Sequence, residues 1–422
     1  MEQRRRIFIF VLLIAAAAHT ASPHEPPPSP PSPPPAAAAA EAPLTLDQAF
    51  ALASANNREI TAARLRRAID LAGVDVARER PNPELRYEQA KETPHQALTA
   101  SQPIELGGKR GRRIALAEAV MKTGEAELAR TQADVRAQVR KAYYSLAATQ
   151  ARLVIAVDIE GIARRARDVA RERYEAGAVP RLEVVQADLN LDQATNEATS
   201  VAGERDASRA ELNALIGRDP RAPTRVVEDL ADVTLPAAEA AAAAAMAGNA
   251  ELAVLDRQMA EAVARAALAR AQQVPDPTLE GAVTHDAPGE FVWGWRYAVA
   301  IAVPIFTRHR AAVRVEEATI AQLKAQREAL VQRLEGAVGA ALVRASTQRQ
   351  QYMRYRDQIL PRSREVEAMA EESYRAGQTN LVALLQALQA AREARAKAVQ
   401  AAYDYQVALA ELQRAAAVGP PP

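Results

Sequence analysis

The stretch RYEAGAVPRLEVVQADL (residues 173–189) returns two hundred positions later as SYRAGQTNLVALLQALQ (373–389). Tyr174-Glu175-Ala176-Gly177 aligns with Tyr374-Arg375-Ala376-Gly377, Gln186-Ala187 with Gln386-Ala387, and Glu211-Leu212 with Glu411-Leu412. An offset kept over this span implies a structural unit duplicated in tandem, and such a repeat governs how the remaining sequence is read.

Working outward, each copy of the phrase lies between two long helical patterns. In the first half a helical pattern covers residues 46–80 and stops at Pro81 and Pro83, because proline lacks the donor a helix interior needs. Two short extended runs follow, ELRYEQA (84–90) and ALTASQPIEL (97–106). After Gly107-Gly108 a very long helix is expected from about Arg110 to Ala176-Gly177, with a partner from Pro180 to Ile216-Gly217. The second half repeats this order. A helix over 237–273 stops at Pro275 and Pro277, and the runs TLEGAVTH (278–285) and FVWGWRYAVAIAVPIF (291–306) come next. Helices from about Arg310 to Ala376-Gly377 and from Asn380 to Ala417 complete it. The phrase is therefore the turn of a helical hairpin, present once per half. At about 1.5 Å per residue the long helix would measure ~100 Å, a rod suited to crossing a periplasm.

The organisation read from this pattern is a signal peptide (1–22), a Pro/Ala-rich spacer (23–42), a first repeat (43–217), an equatorial linker (218–236), a second repeat (237–417) and a short tail (418–422). MEQRRR followed by IFIFVLLIAAAA has the charged and apolar regions of a secretory signal, too short for a membrane span. PHEPPPSPPSPPPAAAAAEA (23–42) cannot join a core and reads as a semi-rigid tether. The chain has no cysteine, hence neither a disulfide nor a lipid-modified N-terminal cysteine. Its net charge is +1, with no dominant basic face of the kind a nucleic-acid binder carries. Aromatics are only 4% and alanine is abundant, which favours long helices packed closely through small side chains.

In VWGWRYAVAIAV, Trp293, Trp295, Tyr297, Val299, Ile301 and Val303 fall on one face, and Gly294, Arg296, Ala298, Ala300 and Ala302 on the other. Strict alternation over this length is a strand able to cross a membrane, which takes about 9–11 residues. The apolar face, with aromatics at one end, would meet lipid, and the small face with its one arginine a wet lumen. The other reading is a half-buried strand of a soluble sheet. Two strands per half give four per chain, and an open sheet edge is not tolerated in lipid. Pooling strands with copies of the chain resolves this: two copies fill the barrel interior with side chains, whereas three give twelve strands and a duct. The fold class expected is thus mainly α with a small β part: long periplasmic helical hairpins forming an α-barrel, and four membrane strands completing a 12-strand barrel as a homotrimer.

The element order and the repeated Y-x-A-G phrase resemble the TolC-like family of outer-membrane efflux channels, from about Ala42 to Gly419. The junction SQPIELGGKRGRRIALAEA (101–119) is similar to the heavy-metal, CzcC-like subgroup, and AVPIFTRHRAAVRVEEA (302–318) follows the general family form. The resemblance implies an outer-membrane channel extending into the periplasm. Its partners would be its own copies, a periplasmic adaptor, an inner-membrane RND-type pump and outer-membrane lipid. The hairpin turns would face the adaptor, making Tyr174, Ala176, Gly177, Val179, Tyr374, Ala376, Gly377 and Leu381 docking candidates. Gly161 and Pro361, at matched places before the two turns, either mark helix boundaries or bend the helices inward.

Pore control departs from the family pattern. TolC carries two aspartates beyond its second turn, where this chain has Ala383 and Gln386. Glu183 keeps an acid at the matching place of the first hairpin, followed by Asp188. Copies of Glu183 in a ring would favour cations, and as a lone residue it would sit as a solvated acid at a helix N-terminus. Lys109, Arg110, Arg112, Arg113, Arg308 and Arg310 form a membrane-proximal basic cluster. Cations at a helix N-terminus oppose its dipole, so anionic headgroups or carboxylates across a subunit interface are expected to hold them.

No nucleophile–base pair, phosphate cradle or metal-ligand spacing emerges, so the chain reads as neither an enzyme nor a cofactor or metal binder. The function expected is a passive duct in tripartite efflux, with heavy-metal cations as cargo. Drug or solvent efflux or type I protein secretion on the same fold is one alternative. A periplasmic adaptor or structural coiled-coil protein without a pore is the other.

Overall fold

A computed structural model describes residues 43–227 and 235–416. The expected signal peptide and spacer, part of the expected linker and the expected tail lie outside the described residues. The first half builds α1 (Leu46–Asn56), α2 (Arg58–Arg78), β1 (Glu84–Gln89), β2 (Gln96–Pro103), α3 (Lys109–Glu175) and α4 (Arg181–Leu215). The second builds α5 (Ala238–Gly248), α6 (Ala250–Ala271), β3 (Pro277–Ala287), β4 (Phe291–Ile301), α7 (Arg310–Arg354), a π-helical turn (Tyr355–Ile359), α8 (Leu360–Arg375) and α9 (Leu381–Ala416).

Three expectations need correction. The helices expected over 46–80 and 237–273 are each two helices, broken at Asn57 and Asn249. Each asparagine leaves the helical region (ψ 130° and 122°), and its Oδ1 accepts from two backbone amides of the next helix: Glu59 and Ile60, or Glu251 and Leu252. Asparagine is among the best N-caps, and this local bonding outweighs helix continuity. The second long helix is likewise not regular throughout, because the π-turn separates α7 from α8.

Small side chains set the packing. α3 lies along α4 within the first half, and against α6 and α9 of the second. Ala262, Ala266 and Ala269 of α6 are buried, allowing close backbone approach. The largest core gathers Leu44, Val135, Val139, Tyr143, Leu146, Leu212 and Ile216 around the middle of α3. There Leu44 bridges in parallel to Val226, and the Tyr143 hydroxyl lies 3.0 Å from the Leu44 carbonyl oxygen and 3.1 Å from that of Val227. Tyr143 thus ties the segment before α1 and the Val227 end of the described linker to one helix.

The four strands form a single antiparallel sheet in the order β1-β2-β3-β4. β3 and β4 have 11 residues each, β1 has 6 and β2 has 8. β1 and β4 are both edges, each with a row of backbone groups that no other strand among the described residues pairs.

Candidate functional site: the sheet and the hairpin turns

Paired residues in an antiparallel sheet share a face, so the register sorts the whole sheet. Trp295 pairs with Val283, which pairs with Leu98, which pairs with Tyr87. Val299 pairs with Leu279, and Tyr297 with Gly281 and through it Ala100 and Leu85. One face therefore carries Leu85, Tyr87, Leu98, Leu279, Trp293, Trp295, Tyr297, Val299 and Ile301, all exposed. Tyr297 reaches 80% exposure, a value that water alone would not favour for so apolar a face. The other face carries Glu84, Arg86, Glu88, Thr99, Glu280, Thr284 and Arg296. Val303, expected on the apolar strand, is exposed but lies beyond the end of β4.

The two hairpin turns share one backbone. Gly177 and Gly377 have φ +73° and +71°. In the first, the Gly177 N–H donates to the Tyr174 carbonyl and the Ala178 N–H to that of Arg173; in the second, Gly377 donates to Tyr374 and Gln378 to Ser373. This pairing satisfies the last carbonyls of α3 and α8 and requires a left-handed residue, which glycine adopts without a Cβ clash. Tyr174, Ala176 and Gly177 are exposed and Val179 is half-buried; Ala376 and Gly377 are exposed. Tyr374 and Leu381, expected to dock a partner, are instead each 2% exposed. They pack with Ile162, Ala166 and Ala170 of α3 and with Leu384 and Leu388 of α9, so their side chains hold the two hairpins together.

Glu183 is engaged rather than free. The Tyr374 hydroxyl donates to its Oε1 at 3.1 Å, and Arg173 Nη1 lies 3.5 Å from the same oxygen, with its guanidinium over the Tyr374 ring. Burial raises the pKa of Tyr374, and the Glu183 carboxylate raises it further, so the hydroxyl stays a donor. Asp188 is half-exposed beside Arg171 at 3.7 Å. Gln386 is exposed and lines a cleft of about 700 Å³ between α4 and α9, floored by α3, with Gln186, Asn190, Gln193 and Gln389.

The basic cluster also has a local explanation. Arg110 donates to the Arg78 carbonyl, and Arg113 to those of Ala77 and Glu79; these are the last two carbonyls of α2 and that of its cap residue. Cations at a helix C-terminus are favoured, and this outweighs their place at the start of α3. Arg113 also pairs with Glu105, and Lys109 with Asp276 at 2.6 Å. Arg308 donates to the Ile305 carbonyl, while Arg112 and Arg310 are exposed. Lys109, Arg110 and Arg113 therefore have partners within the chain, which the expectation of lipid or a neighbouring subunit did not include.

A family model described as "Outer membrane efflux protein" matches residues 50–218 and 241–418. The chain belongs to the outer membrane efflux protein family. It is a channel component of the outer membrane that extends into the periplasm. It is 29% identical over 385 residues to the cobalt-zinc-cadmium resistance protein CzcC of Cupriavidus metallidurans, covering 84% of this chain and 86% of that protein. Its fold is similar to the CmeC outer membrane channel of Campylobacter jejuni, with TM-score 0.74 at 16% identity over 88% of this chain and 85% of that one. The CusC structure gives TM-score 0.72 at 18% identity over 88% and 91%.

In this efflux protein the sheet gathers the predicted apolar residues from Trp293 to Ile301 on one face, while Gly161 and Pro361 part company. Gly161 lies inside the unbroken α3, whereas Pro361 is the second residue of α8, directly after the π-turn. A proline removes one helical donor and crowds the carbonyl four residues earlier. Here the Leu360 N–H reaches back to the Tyr355 carbonyl, widening the coil just before the ring. Residue type alone missed two participants: Arg173, which needs the fold to bring it to Tyr374, and the Asn57/Asn249 caps. The caps were readable as an asparagine two residues before a glutamate at the same place of each repeat.

Proposed function

We propose that this channel works as a homotrimeric, passive duct of a tripartite system, exporting heavy-metal cations received from an RND-type inner-membrane pump through a periplasmic adaptor. The observation that carries the reading is the sheet. Two of its rows, Leu85–Ala100–Gly281–Tyr297 and Tyr87–Leu98–Val283–Trp295, are apolar across all four strands, and among the described residues both edges are unpaired. Lipid tolerates neither an open edge nor unsatisfied backbone groups, so the sheet reaches a stable state only by joining sheets of other copies, and three copies leave room for a duct. The exposed turn residues Tyr174, Ala176, Gly177, Ala376 and Gly377, with the half-buried Val179, offer the adaptor its surface. The metal cargo is supported by the likeness to CzcC, whose name records cobalt-zinc-cadmium resistance.

The test combines mass and cargo. Extracted in mild detergent, the protein is expected to run as a trimer; a monomer stable without detergent would refute the duct. A strain lacking this chain is expected to lose tolerance to cobalt, zinc or cadmium, whereas lost drug tolerance with intact metal tolerance would move the cargo to drugs. Tyr297→Arg on the apolar face should cost about 2–4 kcal/mol at the membrane midplane and deplete the assembled barrel, while Ala298→Arg on the opposite face should be mild.

A further inference from the structure

The tandem repeat makes a prediction about which faces of neighbouring copies meet, and the charges on those faces are not random. The two hairpins keep one numbering offset: α4 starts at Arg181 and α9 at Leu381, and α3 ends at Glu175 and α8 at Arg375. If copies join in a ring, each place where the first repeat meets the second inside one chain has an equivalent place, two hundred positions shifted, between the second repeat of one chain and the first repeat of the next. Among the in-chain ion pairs that cross this internal boundary are Arg392 of α9 with Glu197 of α4 at 2.9 Å, and Arg165 of α3 with Glu371 of α8 at 3.5 Å.

Shifting each partner gives Asp192 of α4 opposite Lys397 of α9, and Arg171 of α3 opposite Glu365 of α8. Both counterparts are again opposite charges, with the sign reversed at every position. Among the described residues neither Asp192 nor Glu365 has an ion-pair partner, both are exposed, and Lys397 and Arg171 make only long contacts at 3.9 and 3.7 Å. Exposed apolar side chains lie on the same helices: Leu182, Val185 and Leu189 on α4, Val366 and Met369 on α8.

We propose that these eight charges form an alternation code, and that Lys397 and Glu365 of one copy meet Asp192 and Arg171 of the next. A first repeat placed against another first repeat would set Glu197 against Asp192 and Arg165 against Arg171. A second against a second would set Arg392 against Lys397 and Glu371 against Glu365. Each like pairing repels at both points, so only the alternating order satisfies every contact. The same surface cannot then meet itself, which disfavours a two-fold dimer and leaves a head-to-tail contact that closes into a ring. The inference rests on the trimer reading and specifies its seam. Two further cross-repeat pairs of α9 with α3, Arg395 with Asp158 and Arg414 with Asp134, have no charged counterpart in the first hairpin, since Thr195 and Ala214 stand where the arginines would be. Each seam is thus specified by the two pairs named.

The absence of cysteine makes the test direct. In the full-length protein extracted from outer membranes, Asp192→Cys with Lys397→Cys and a short thiol–thiol cross-linker is expected to give a covalent ladder ending at three chains. Glu197→Cys with Arg392→Cys should link within one chain and leave the monomer band. Lys397→Glu is expected to lower trimer recovery severalfold at low salt, and adding Asp192→Lys should restore it. A native trimer whose 192/397 pair gives no interchain product, or whose 192/197 pair gives one, overturns the code and leaves the duct standing. Loss of any oligomer in unmodified protein would remove the duct and the code together.

Discussion

Tyr174 and Tyr374 stand at the same position of the same turn, each three residues before a glycine with φ near +70°, yet Tyr174 is 45% exposed and Tyr374 is 2% exposed. The backbone hydrogen bonds of the two turns superimpose residue for residue. What differs is the surroundings. Tyr374 meets Glu183, Arg173 and the alanine face of α3, whereas the positions that would receive Tyr174 are Ala383 and Ser373, which offer neither charge nor acceptor of comparable reach. Tandem duplication copies local structure faithfully because turn and helix energetics are short-range. It does not copy burial, which depends on the neighbour each copy meets.

The largest effect expected from this comparison comes from truncating both rings. Tyr374→Ala empties a packed site between hairpins and should cost about 3–5 kcal/mol, as large aromatic truncations in cores do. Tyr174→Ala should stay within about 0.5 kcal/mol, as surface changes do. Thermal unfolding in detergent measures both. Equal losses would mean that Tyr174 is covered in the assembled protein, and would move it from a free turn to an interface.

The division between legible and illegible features follows the same range argument. β4 was readable because alternation from Trp293 to Ile301 is carried by the residues themselves, and the turns because Ala-Gly after a long helix has one economical conformation. The breaks at Asn57 and Asn249 were local too, but lay inside strong helical patterns that masked them. The roles of Tyr374, Leu381, Arg110 and Arg113 were not legible, since each depends on a segment distant in sequence: Glu183 for Tyr374, α3 for Leu381, and the end of α2 for the two arginines. A basic cluster quoted alone looks like a lipid contact; beside the carbonyls at the end of α2 it also has the place of a cap.

A smaller effect isolates the hydroxyl. Tyr374→Phe keeps the ring and removes the donor to Glu183, which should cost about 1 kcal/mol. Because burial and then the Glu183 carboxylate raise the pKa of Tyr374, the native state keeps that proton where the unfolded chain, at about pH 10, begins to lose it. The contribution is fully present below the unfolded value and is lost as pH rises through the higher folded one. The stability difference between the native protein and Tyr374→Phe should therefore be flat from neutral pH to about 10 and shrink above it. A difference independent of pH across that range would show that the hydroxyl is not the linking group.

The smallest expected effect concerns the matched breakers, and its sign is what matters. Gly161 lies in a regular α3, and a Cβ added there would meet only Arg165 Nη1 at 3.7 Å. With no strain to relieve and no space to fill, Gly161→Ala should stabilise the protein by about 0.5–1 kcal/mol through helix propensity alone, and leave channel conductance unchanged. Pro361→Ala restores a helical donor beside the π-turn, so it should let that turn relax toward regular α-helix and alter conductance at nearly constant stability. If Gly161→Ala instead reduced conductance as Pro361→Ala does, both hairpins would bend at these positions when the channel works. The straight α3 would then be one state of a moving helix, and the two repeats would be alike in motion though they differ at rest.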